Sequence, residues 1–455
     1  MNLFQIVQEI NGTINNFVWG PYMLIFLVGT GALFTFRTNF FQVTKIKLWW
    51  SGTFGQLITK KSSEQTKDVN ITPFQAVSTA LASTVGTGNI VGVATAIFSG
   101  GPGAVFWMWV SGFFGMMSKY AEIVLAVKYR ETDENGTYHG GPMYYIEKGL
   151  KIKWLAVIFA IFGTLATFGI GNMTQANAIA ASVEKTFGIP TLASGIVIAA
   201  ICALVIIGGI KRIASVTERL VPFMAVFYVI GGIIILGMNI TRLPGAISAI
   251  FAGAFSLKSA AGGIMGYTIM RAMRYGIARG VFSNEAGLGS APIAHAASQT
   301  KEPVEQGLWG VFEVFVDTII ICTLTGLIIV TAGLYDGEIS GPALTLASFA
   351  QTLGSFGGAF VSIAILCFAG STILGWSYYG QQCLYYLAGR NKALDMTYKV
   401  IFCLLTIVGA IGGLSFVWDI ADTLNGLMAV PNLIALVLLS NVVFGLTKDY
   451  LARVK

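Results

Sequence analysis

The sequence predicts an all-α membrane protein that crosses the bilayer many times. Of its 455 residues 55% are hydrophobic and only 11% are charged, and the mean hydropathy is +0.74. A soluble domain carries about 25% charged residues, so this chain has too few charges to cover a water-facing surface. Apolar runs of about 20 residues recur along the chain, as expected of helices that span a bilayer.

Hydropathy predicts about eleven transmembrane helices. The predicted spans are residues 17–36, 73–98, 103–128, 153–183, 191–209, 215–238, 263–297, 307–334, 356–387, 395–412 and 418–446. Residues 43–61 mix lysines with Trp49 and Trp50 and are predicted to lie in the membrane interface. Residues 247–263 are not predicted to form a twelfth span, because Lys258 interrupts a short stretch.

The distribution of positive charge predicts the orientation in the cell membrane. Lysine and arginine follow the first, third, fifth and ninth predicted spans and also end the chain. These charges are Arg37, Lys45, Lys47, Lys60, Lys61, Lys67, Arg130, Lys148, Lys151, Lys153, Lys211, Arg212, Arg390, Lys392, Lys448, Arg453 and Lys455. Because basic loops stay in the cytoplasm, the N-terminus is predicted outside and the C-terminus inside. These basic loops account for the net charge of +7, which therefore does not indicate nucleic acid; membrane lipid is the predicted surrounding of the protein.

Two predicted spans contain glycine and polar residues at membrane depth. "STVGTGNIVG" (83–92) includes Gly86, Gly88 and Asn89, and "RGVFSNEAGLGSAP" (279–292) lies in the seventh span. Unwound backbone in lipid costs several kcal/mol per unpaired group, so such breaks occur where they line a cavity. The second and seventh spans run in opposite directions, and paired breaks in inverted halves indicate the central site of a transporter. Close helix packing at the glycines is the alternative explanation.

A third polar stretch lies in the ninth span, where Ser371 and Thr372 follow Gly370. Hydroxyls that face a carbonyl-rich break can complete an oxygen site for a small hard cation. Hydrogen bonds from these hydroxyls to their own i−4 carbonyls are the alternative.

Aromatic and polar side chains near the breaks form a predicted pocket wall. Phe168, Asn172 and Gln175 follow helical spacing in the fourth span, and Trp376 lies one turn after Thr372. Ordinary interhelical packing is the alternative explanation for the first three.

The acidic residues within the spans are candidates for functional or structural roles. Glu285 lies close to Arg279 in the sequence, and an ion pair between them and a role in cation coupling are the two alternatives for it. Glu122 is predicted to pair with Lys119 at i, i+3. Glu313 and Asp317 share a helix face, where either could neutralise a cation. His295 ends the broken span, and the sequence suggests no partner for it.

Three stretches resemble the alanine/glycine:cation symporter family, also called sodium:alanine symporters. They are "GGPGAVFWMWVSGFFG" (100–115), "GGPMYYIEKGL" (140–150) and "RGVFSNEAGLGSAP" (279–292). The resemblance implies a five-plus-five inverted repeat like that of the leucine transporter LeuT, with one additional N-terminal helix. Residues 1–72 would hold that helix and the interfacial segment, 73–238 the first repeat, 239–446 an extracellular segment and the second repeat, and 447–455 a cytoplasmic tail.

The same resemblance implies Na⁺-coupled symport of glycine and L-alanine, with D-alanine as a further candidate, by alternating access. Some family members use H⁺ instead. A cation symporter of another small solute on the same fold remains the alternative, and a channel is a weaker one because no span is strongly amphipathic. An enzyme is not predicted, since no catalytic dyad or metal motif lies within the spans.

The resemblance also implies ligand positions. The sodium site would use the carbonyls of Ala82, Val85 and Ala369 and the hydroxyl of Thr372. The second hydroxyl ligand of LeuT falls on Ile373, which calls for Ser371 or water instead.

The substrate would bind at the two breaks. Its carboxylate would meet the N–H groups of Thr87 and Gly88, and its ammonium the carbonyls near Thr84, Phe282 and Ser283. Asn284, in the same break, completes this predicted substrate set. Asn89 and Ser283 match ligands of a second sodium site.

Overall fold

The computed structural model of the protein describes residues 3–55, 69–255, 268–335, 339, 341–412 and 415–454. Within these ranges, eight helices are long and apolar enough to cross a membrane, or nine when one bent pair counts as a single span. The all-α, multi-pass architecture is therefore confirmed, whereas the number eleven is not. The C-terminal end of the predicted interfacial stretch, with Lys60 and Lys61, lies outside the described residues, as does Lys258.

Two helices and two short helical turns precede the first broken helix. They are α1 (Leu3–Val18), α2 (Pro21–Arg37), α3 (Phe41–Thr44) and α4 (Ile46–Gly52). The sequence prediction began the first span at residue 17 and therefore missed α1. Gly31 of α2 packs so closely on the helix that contains Phe114 that a Cβ there would lie 2.4 Å from the Phe114 carbonyl oxygen.

The first group of core helices ends with Met238. Its members are α5 (Pro73–Thr84), α6 (Val93–Gly100), α7 (Ala104–Tyr129), α8 (Pro142–Tyr145), α9 (Lys153–Phe168), α10 (Thr174–Phe187), α11 (Thr191–Ile206) and α12 (Gly209–Met238). A two-residue antiparallel hairpin, β1 (Glu131–Thr132) and β2 (Tyr138–His139), follows α7. A capping box starts α5, since Gln75 N–H donates to Thr72 Oγ1 and Thr72 N–H donates to Gln75 Oε1, each at 3.1 Å.

The second group begins with a 13-residue helix, α13 (Leu243–Phe255). At a rise of about 1.5 Å per residue it is too short to span the hydrocarbon core by itself. The remaining helices are α14 (Thr268–Asn284), α15 (Pro292–Ala296), α16 (Pro303–Val314), α17 (Thr323–Ala332), α18 (Gly341–Leu353), α19 (Ser355–Ala388), α20 (Lys392–Ile411), α21 (Ser415–Leu438) and α22 (Ser440–Arg453). The last predicted span, 418–446, is thus two helices that meet at Leu439.

The broken helices lie at the centre of the bundle. Ala76–Ala94 on the first and Val281–Ala297 on the second are almost wholly buried, because α7, α16 and α19 surround them. In contrast, α12 and α20 expose apolar side chains such as Phe223, Ile234, Leu404 and Val408. An apolar surface of this kind faces lipid in a membrane protein. The unwound backbone is therefore shielded from lipid by protein.

Candidate functional site at two broken helices

The first break separates α5 from a wide π-helical turn, Gly88–Gly92, that continues into α6. The two halves are bent by 46°. Within the break, Gly86 N–H donates to Asn89 Oδ1 at 2.9 Å, and Thr87 N–H donates to Gln175 Oε1 at 3.3 Å. The N-terminal end of a half-helix, with its partial positive charge, therefore points into the centre of the protein.

The second break separates α14 from α15. Glu285, Gly287 and Gly289 adopt left-handed φ angles of 54°, 87° and 85°. Side chains from two other helices bond its backbone: Gly289 N–H donates to Glu122 Oε1 at 3.1 Å, and Asn432 Nδ2 donates to the Gly287 carbonyl at 2.9 Å. Asn432 Nδ2 also donates to Glu122 Oε1 at 2.6 Å. The second break is therefore fixed by the rest of the bundle.

A small cavity of about 20 Å³ lies between the two breaks. Its lining residues are Ser83, Thr84, Gly86, Thr87, Gly88, Ile170, Gln175, Phe282, Glu285, Thr372, Trp376 and Asn425. This volume is enough for about one water molecule. A Cβ on Gly86 would lie 2.4 Å from Thr372 Oγ1, and one on Gly88 would lie 3.0 Å from Ser283 Cα. The absence of side chains at these two glycines lets the three elements meet.

The cavity contains a buried carboxylate that the sequence prediction placed elsewhere. Glu285 Oε1 accepts a hydrogen bond from Trp376 Nε1 at 2.8 Å, and Oε2 accepts one from Ser290 Oγ at 2.6 Å. The predicted pair with Arg279 is wrong, because Arg279 instead approaches Asp422 at 3.5 Å. The helix ends at Asn284, and the left-handed φ of Glu285 turns its side chain off the helix face on which Arg279 lies.

Four predicted substrate residues do not line the cavity: Phe168, Asn172, Asn284 and Ser283, the last of which hydrogen-bonds Asp317 instead. Phe168 packs instead on the rings of Tyr398 and Phe402, at centroid distances of 5.6 and 6.4 Å. Asn172 Nδ2 donates to the Phe402 carbonyl at 2.6 Å. A π-helical turn, Gly169–Met173, separates Phe168 from Gln175 and is wider than the 3.6-residue turn that the prediction assumed. Gln175 alone of the three predicted wall residues in this span therefore reaches the cavity.

Asn284 is the third of these residues. Its Nδ2 donates to Thr318 Oγ1 at 3.1 Å, and its Oδ1 accepts from Ala286 N–H at 3.0 Å. Both the nitrogen and the oxygen of the side-chain amide are therefore hydrogen-bonded to protein groups. Asn284 connects the second break to the span that contains Thr318.

The predicted second-sodium residues gather around a carboxylate from the span α16–α17. Asn89 Nδ2 donates to Asp317 Oδ1 at 2.6 Å, and Ser283 Oγ lies 3.1 Å from both carboxylate oxygens. Thr318 Oγ1 donates to Oδ2 at 2.8 Å. All four side chains are buried, so this cluster joins both breaks through one acidic group.

The predicted first sodium residues meet where α5 crosses α19. Thr372 Oγ1 and Ser371 Oγ each lie 3.1 Å from the Ala82 carbonyl oxygen. Both hydroxyls also donate to the Phe368 carbonyl within their own helix, at 3.0 and 2.8 Å. Val85 and Ala369 are buried at the same crossing. Ile373, the position of the second hydroxyl ligand in LeuT, has no hydroxyl. Ser371 lies beside Thr372 and approaches the same carbonyl, so it is the second hydroxyl at this crossing.

A buried ion pair connects the first broken helix to three others. Lys119 Nζ lies 3.2 Å from Glu313 Oε1, which also accepts from Thr84 Oγ1 at 2.7 Å. His295 Nε2 lies 3.1 Å from Glu313 Oε2. The predicted Lys119–Glu122 pair is wrong, because Glu122 is held by the second break. Within the described residues, no group of three or more His, Cys, Asp and Glu side chains is placed to hold a metal ion.

Comparison with known proteins identifies the family. The sequence profile of the sodium:alanine symporter family matches residues 4–455. The chain belongs to this family. It is 50% identical over 446 residues to the sodium/alanine symporter AgcS of Methanococcus maripaludis, covering 96% of each chain. It is also 39% identical over 452 residues to the probable sodium/glutamine symporter GlnT of Bacillus subtilis, covering 99% of this chain and 92% of the relative.

Solved structures of LeuT-fold transporters resemble the chain as well. The crystal structure of MhsT in complex with L-phenylalanine matches with a TM-score of 0.61 and 17% identity, over 82% of this chain and 90% of that one. At this identity the likeness shows the fold alone. The LeuT-like fold is therefore confirmed, and the family and relatives support a sodium-coupled amino-acid symporter, which is a transporter and not an enzyme.

Three polar residues of the cavity wall, Ser83, Glu285 and Asn425, are in neither the predicted substrate set nor the predicted sodium set. The sequence offers Glu285 an ion pair or a role in cation coupling, and it does not single out Asn425 on α21. Asn425 is buried, and its Oδ1 has no hydrogen-bond partner among the described residues. An amide within an apolar span was the available signal, but nothing in the sequence placed α21 beside the breaks.

Proposed function

We propose that the protein takes up alanine and glycine together with Na⁺ by alternating access. The observation that carries this proposal is the cavity of about 20 Å³ between the two breaks, in which polar groups meet a bulky aromatic wall. Phe282 and Trp376 form that wall. The cavity must widen to admit even alanine, and each further methylene of a larger substrate would require more displacement of stiff rings.

The substrate carboxylate binds at the first break in this proposal. The Thr87 N–H donates a long hydrogen bond of 3.3 Å to Gln175 Oε1. When substrate binds, a carboxylate oxygen takes the place of Gln175 Oε1 as the acceptor. The partial positive charge at the start of the Gly88–Gly92 turn favours an anion at this point. Gln175 then moves toward the Ile170 carbonyl, to which its Nε2 already donates at 2.9 Å.

The substrate ammonium binds on the opposite side of the cavity. The Glu285 carboxylate and Asn425 Oδ1 both line it, together with the end of α5 at Thr84. An ammonium group supplies three donors, and Asn425 Oδ1 is a buried acceptor without a partner among the described residues. The two charged ends of an amino acid therefore find opposite partners at the two ends of one small cavity.

In this proposal Na⁺ is the co-transported ion. The carbonyl of Ala82 and the hydroxyls of Ser371 and Thr372 provide the neutral oxygen ligands that a hard monovalent cation accepts, with the carbonyls of Val85 and Ala369 completing the set. Binding of Na⁺ at these ligands holds α5 against α19. Asn89, Ser283 and the Asp317 carboxylate form the second cation site, which takes either Na⁺ or H⁺.

Access to the cavity alternates between two sides. A second cavity of about 340 Å³ reaches Thr87 and Phe282 from the side predicted to be extracellular, and Phe282 separates it from the substrate cavity. The Arg279–Asp422 pair joins α14 to α21 beside this entrance. On the other side, Glu313 joins Lys119, His295 and Thr84, and separation of these groups opens the route to the cytoplasm.

Uptake into proteoliposomes tests the proposal. Radiolabelled alanine and glycine should accumulate only when an inward Na⁺ gradient is present, and glutamine should compete poorly because of the cavity size. Accumulation driven by a pH gradient without Na⁺ would assign the coupling to H⁺. Efficient glutamine uptake would contradict the size argument.

A further inference from the structure

A basic pocket lies far from the substrate cavity, at the end of the bundle predicted to face the cytoplasm. It has a volume of about 730 Å³. The pocket is lined by Arg37, Thr38, Asn39, Lys45, Leu48, Phe444, Thr447, Lys448, Leu451, Ala452 and Val454. These residues come from the end of α2, the α3–α4 segment and α22. The pocket is thus formed where the additional N-terminal segment meets the last helix of the chain.

The pocket concentrates positive charge. Arg37, Lys45 and Lys448 all line it, and none lies within 4.0 Å of an acidic group in the part of the chain that the structure describes. In contrast, Arg453 on the same helix as Lys448 pairs with Glu302 at 2.7 Å. The Arg37 guanidinium lies 4.9 Å from the centre of the Phe444 ring, and this cation–π contact limits its freedom.

The pocket lies at the end of a predicted membrane span, where a lipid headgroup is expected. Arg37 is the last residue of α2, at the point where the span predicted to cross the membrane ends. Trp49 and Trp50 follow Lys45 on α4, and tryptophan is enriched at the level of the headgroups. The wall also contains Leu48, Phe444 and Leu451, which would be of no use to a free inorganic anion but can contact an acyl chain.

We propose that this pocket binds an anionic phospholipid, whose phosphate lies among Arg37, Lys45 and Lys448 while its glycerol and upper acyl chain contact the apolar wall. Basic pockets between transmembrane helices bind anionic headgroups in this way. The pocket residues are connected to the core, because Thr447 shares a hydrogen bond of 2.7 Å with Tyr120 of α7. A bound lipid therefore holds α2, α4 and α22 together against α7 and stabilises the folded protein.

Native mass spectrometry of the full-length protein in detergent tests the proposal. Phosphatidylglycerol is titrated against phosphatidylcholine, with wild type compared with Arg37→Gln, Lys45→Gln and Lys448→Gln. Each charge removal should weaken phosphatidylglycerol binding about fivefold, as expected for one cation near a lipid phosphate, and should leave phosphatidylcholine binding unchanged. Lys47→Gln is the matched control, because Lys47 lies on α4 but does not line the pocket; it should bind like wild type.

Two further measurements separate this site from general surface charge and from free phosphate. The thermal unfolding temperature of wild type should rise with added phosphatidylglycerol, and that of the Arg37→Gln, Lys448→Gln double variant should not. Inorganic phosphate at millimolar concentration should not displace the lipid. The proposal would be overturned if Lys47→Gln lost as much phosphatidylglycerol affinity as the three pocket variants. It would also be overturned if phosphate displaced the lipid, or if all three pocket variants bound phosphatidylglycerol like wild type.

Discussion

The two broken helices use glycine for different physical reasons. In the first break, Gly86 and Gly88 do not have left-handed φ angles, and what requires glycine is the close approach of Thr372 and Ser283. In the second break, Gly287 and Gly289 have φ angles of 87° and 85°, which side chains rarely adopt. The glycines of the first break therefore permit close packing around the cavity, and those of the second maintain a backbone shape.

The hydrogen bonds at the two breaks differ as well: those of the first involve a cavity-lining side chain, and those of the second involve side chains of two other helices. The N–H of Thr87 at the first break donates to the side-chain amide of Gln175, which lines the cavity. The backbone of the second break is bonded by Glu122 and Asn432, from helices on either side. Substitutions at the first break should therefore reduce binding, and substitutions at the second should reduce stability.

The largest expected effect is on stability, in Gly289→Ala. A Cβ at this position would lie 2.7 Å from Pro142 Cγ and 2.8 Å from Phe159 Cε2, in addition to the left-handed φ. The backbone strain and the overpacking together should lower the free energy of unfolding by about 2–5 kcal/mol. Thermal unfolding in detergent measures this loss. Gly370→Ala is the control, because no atom lies within 4 Å of the added Cβ. Equal unfolding temperatures of the two variants would show that the backbone shape of the second break does not stabilise the protein.

The next effect is on binding, in Gly88→Ala. The added methyl would lie 3.0 Å from Ser283 Cα and 3.3 Å from Phe282 Cδ1, and would push the two breaks apart at the cavity. Alanine affinity should fall about 100-fold, the cost of misplacing a binding group by roughly 1 Å, while the unfolding temperature stays close to that of wild type. Calorimetric titration with alanine gives the affinity. A variant that binds alanine normally would show that this glycine only serves helix packing.

A third prediction concerns selectivity and compares two aromatic residues. Trp376 lines the cavity, whereas Phe168 packs on Tyr398 and Phe402. Trp376→Ala should improve the affinity for valine relative to glycine by about tenfold, within the range that one or two methylenes can discriminate. Phe168→Ala should leave the preference unchanged and lower only stability. Competition binding with neutral amino acids measures both. Relaxed selectivity in the Phe168 variant would place the cavity wall at the sequence-predicted position after all.

The smallest expected effect is on ion coupling, in Thr372→Ala. Loss of one hydroxyl ligand should raise the Na⁺ concentration for half-maximal alanine uptake about fivefold, corresponding to about 1 kcal/mol for one polar contact. Thr372→Ser keeps the hydroxyl and should behave like wild type. Ser371→Ala should produce a shift of similar size if both hydroxyls that approach Ala82 act as ligands. An unchanged Na⁺ dependence in Thr372→Ala would exclude this crossing as a sodium site.

The features that depend on local composition could be predicted from the sequence. The apolar runs required membrane helices, and the glycine and polar residues at 83–92 and 279–292 marked both breaks, because unwound backbone needs such residues wherever it occurs. Three motifs were specific enough to indicate the family. The pattern also predicted that Ser371 and Thr372 face a break, since their spacing from Gly370 is a local property.

Which side chains meet depends on how distant helices pack, and local sequence rules do not predict it. Glu313 is 194 residues from Lys119, and Trp376 is 91 residues from Glu285; each pair forms because helices far apart in the chain pack side by side. Local rules favoured the nearer partners Glu122 and Arg279, which the fold assigns to other contacts. The π-helical turn at Gly169–Met173 likewise moved Phe168 off the cavity face. Sequence periodicity assumes a uniform helix, and only the packing of α9 and α10 against α19 and α20 shows where that assumption fails.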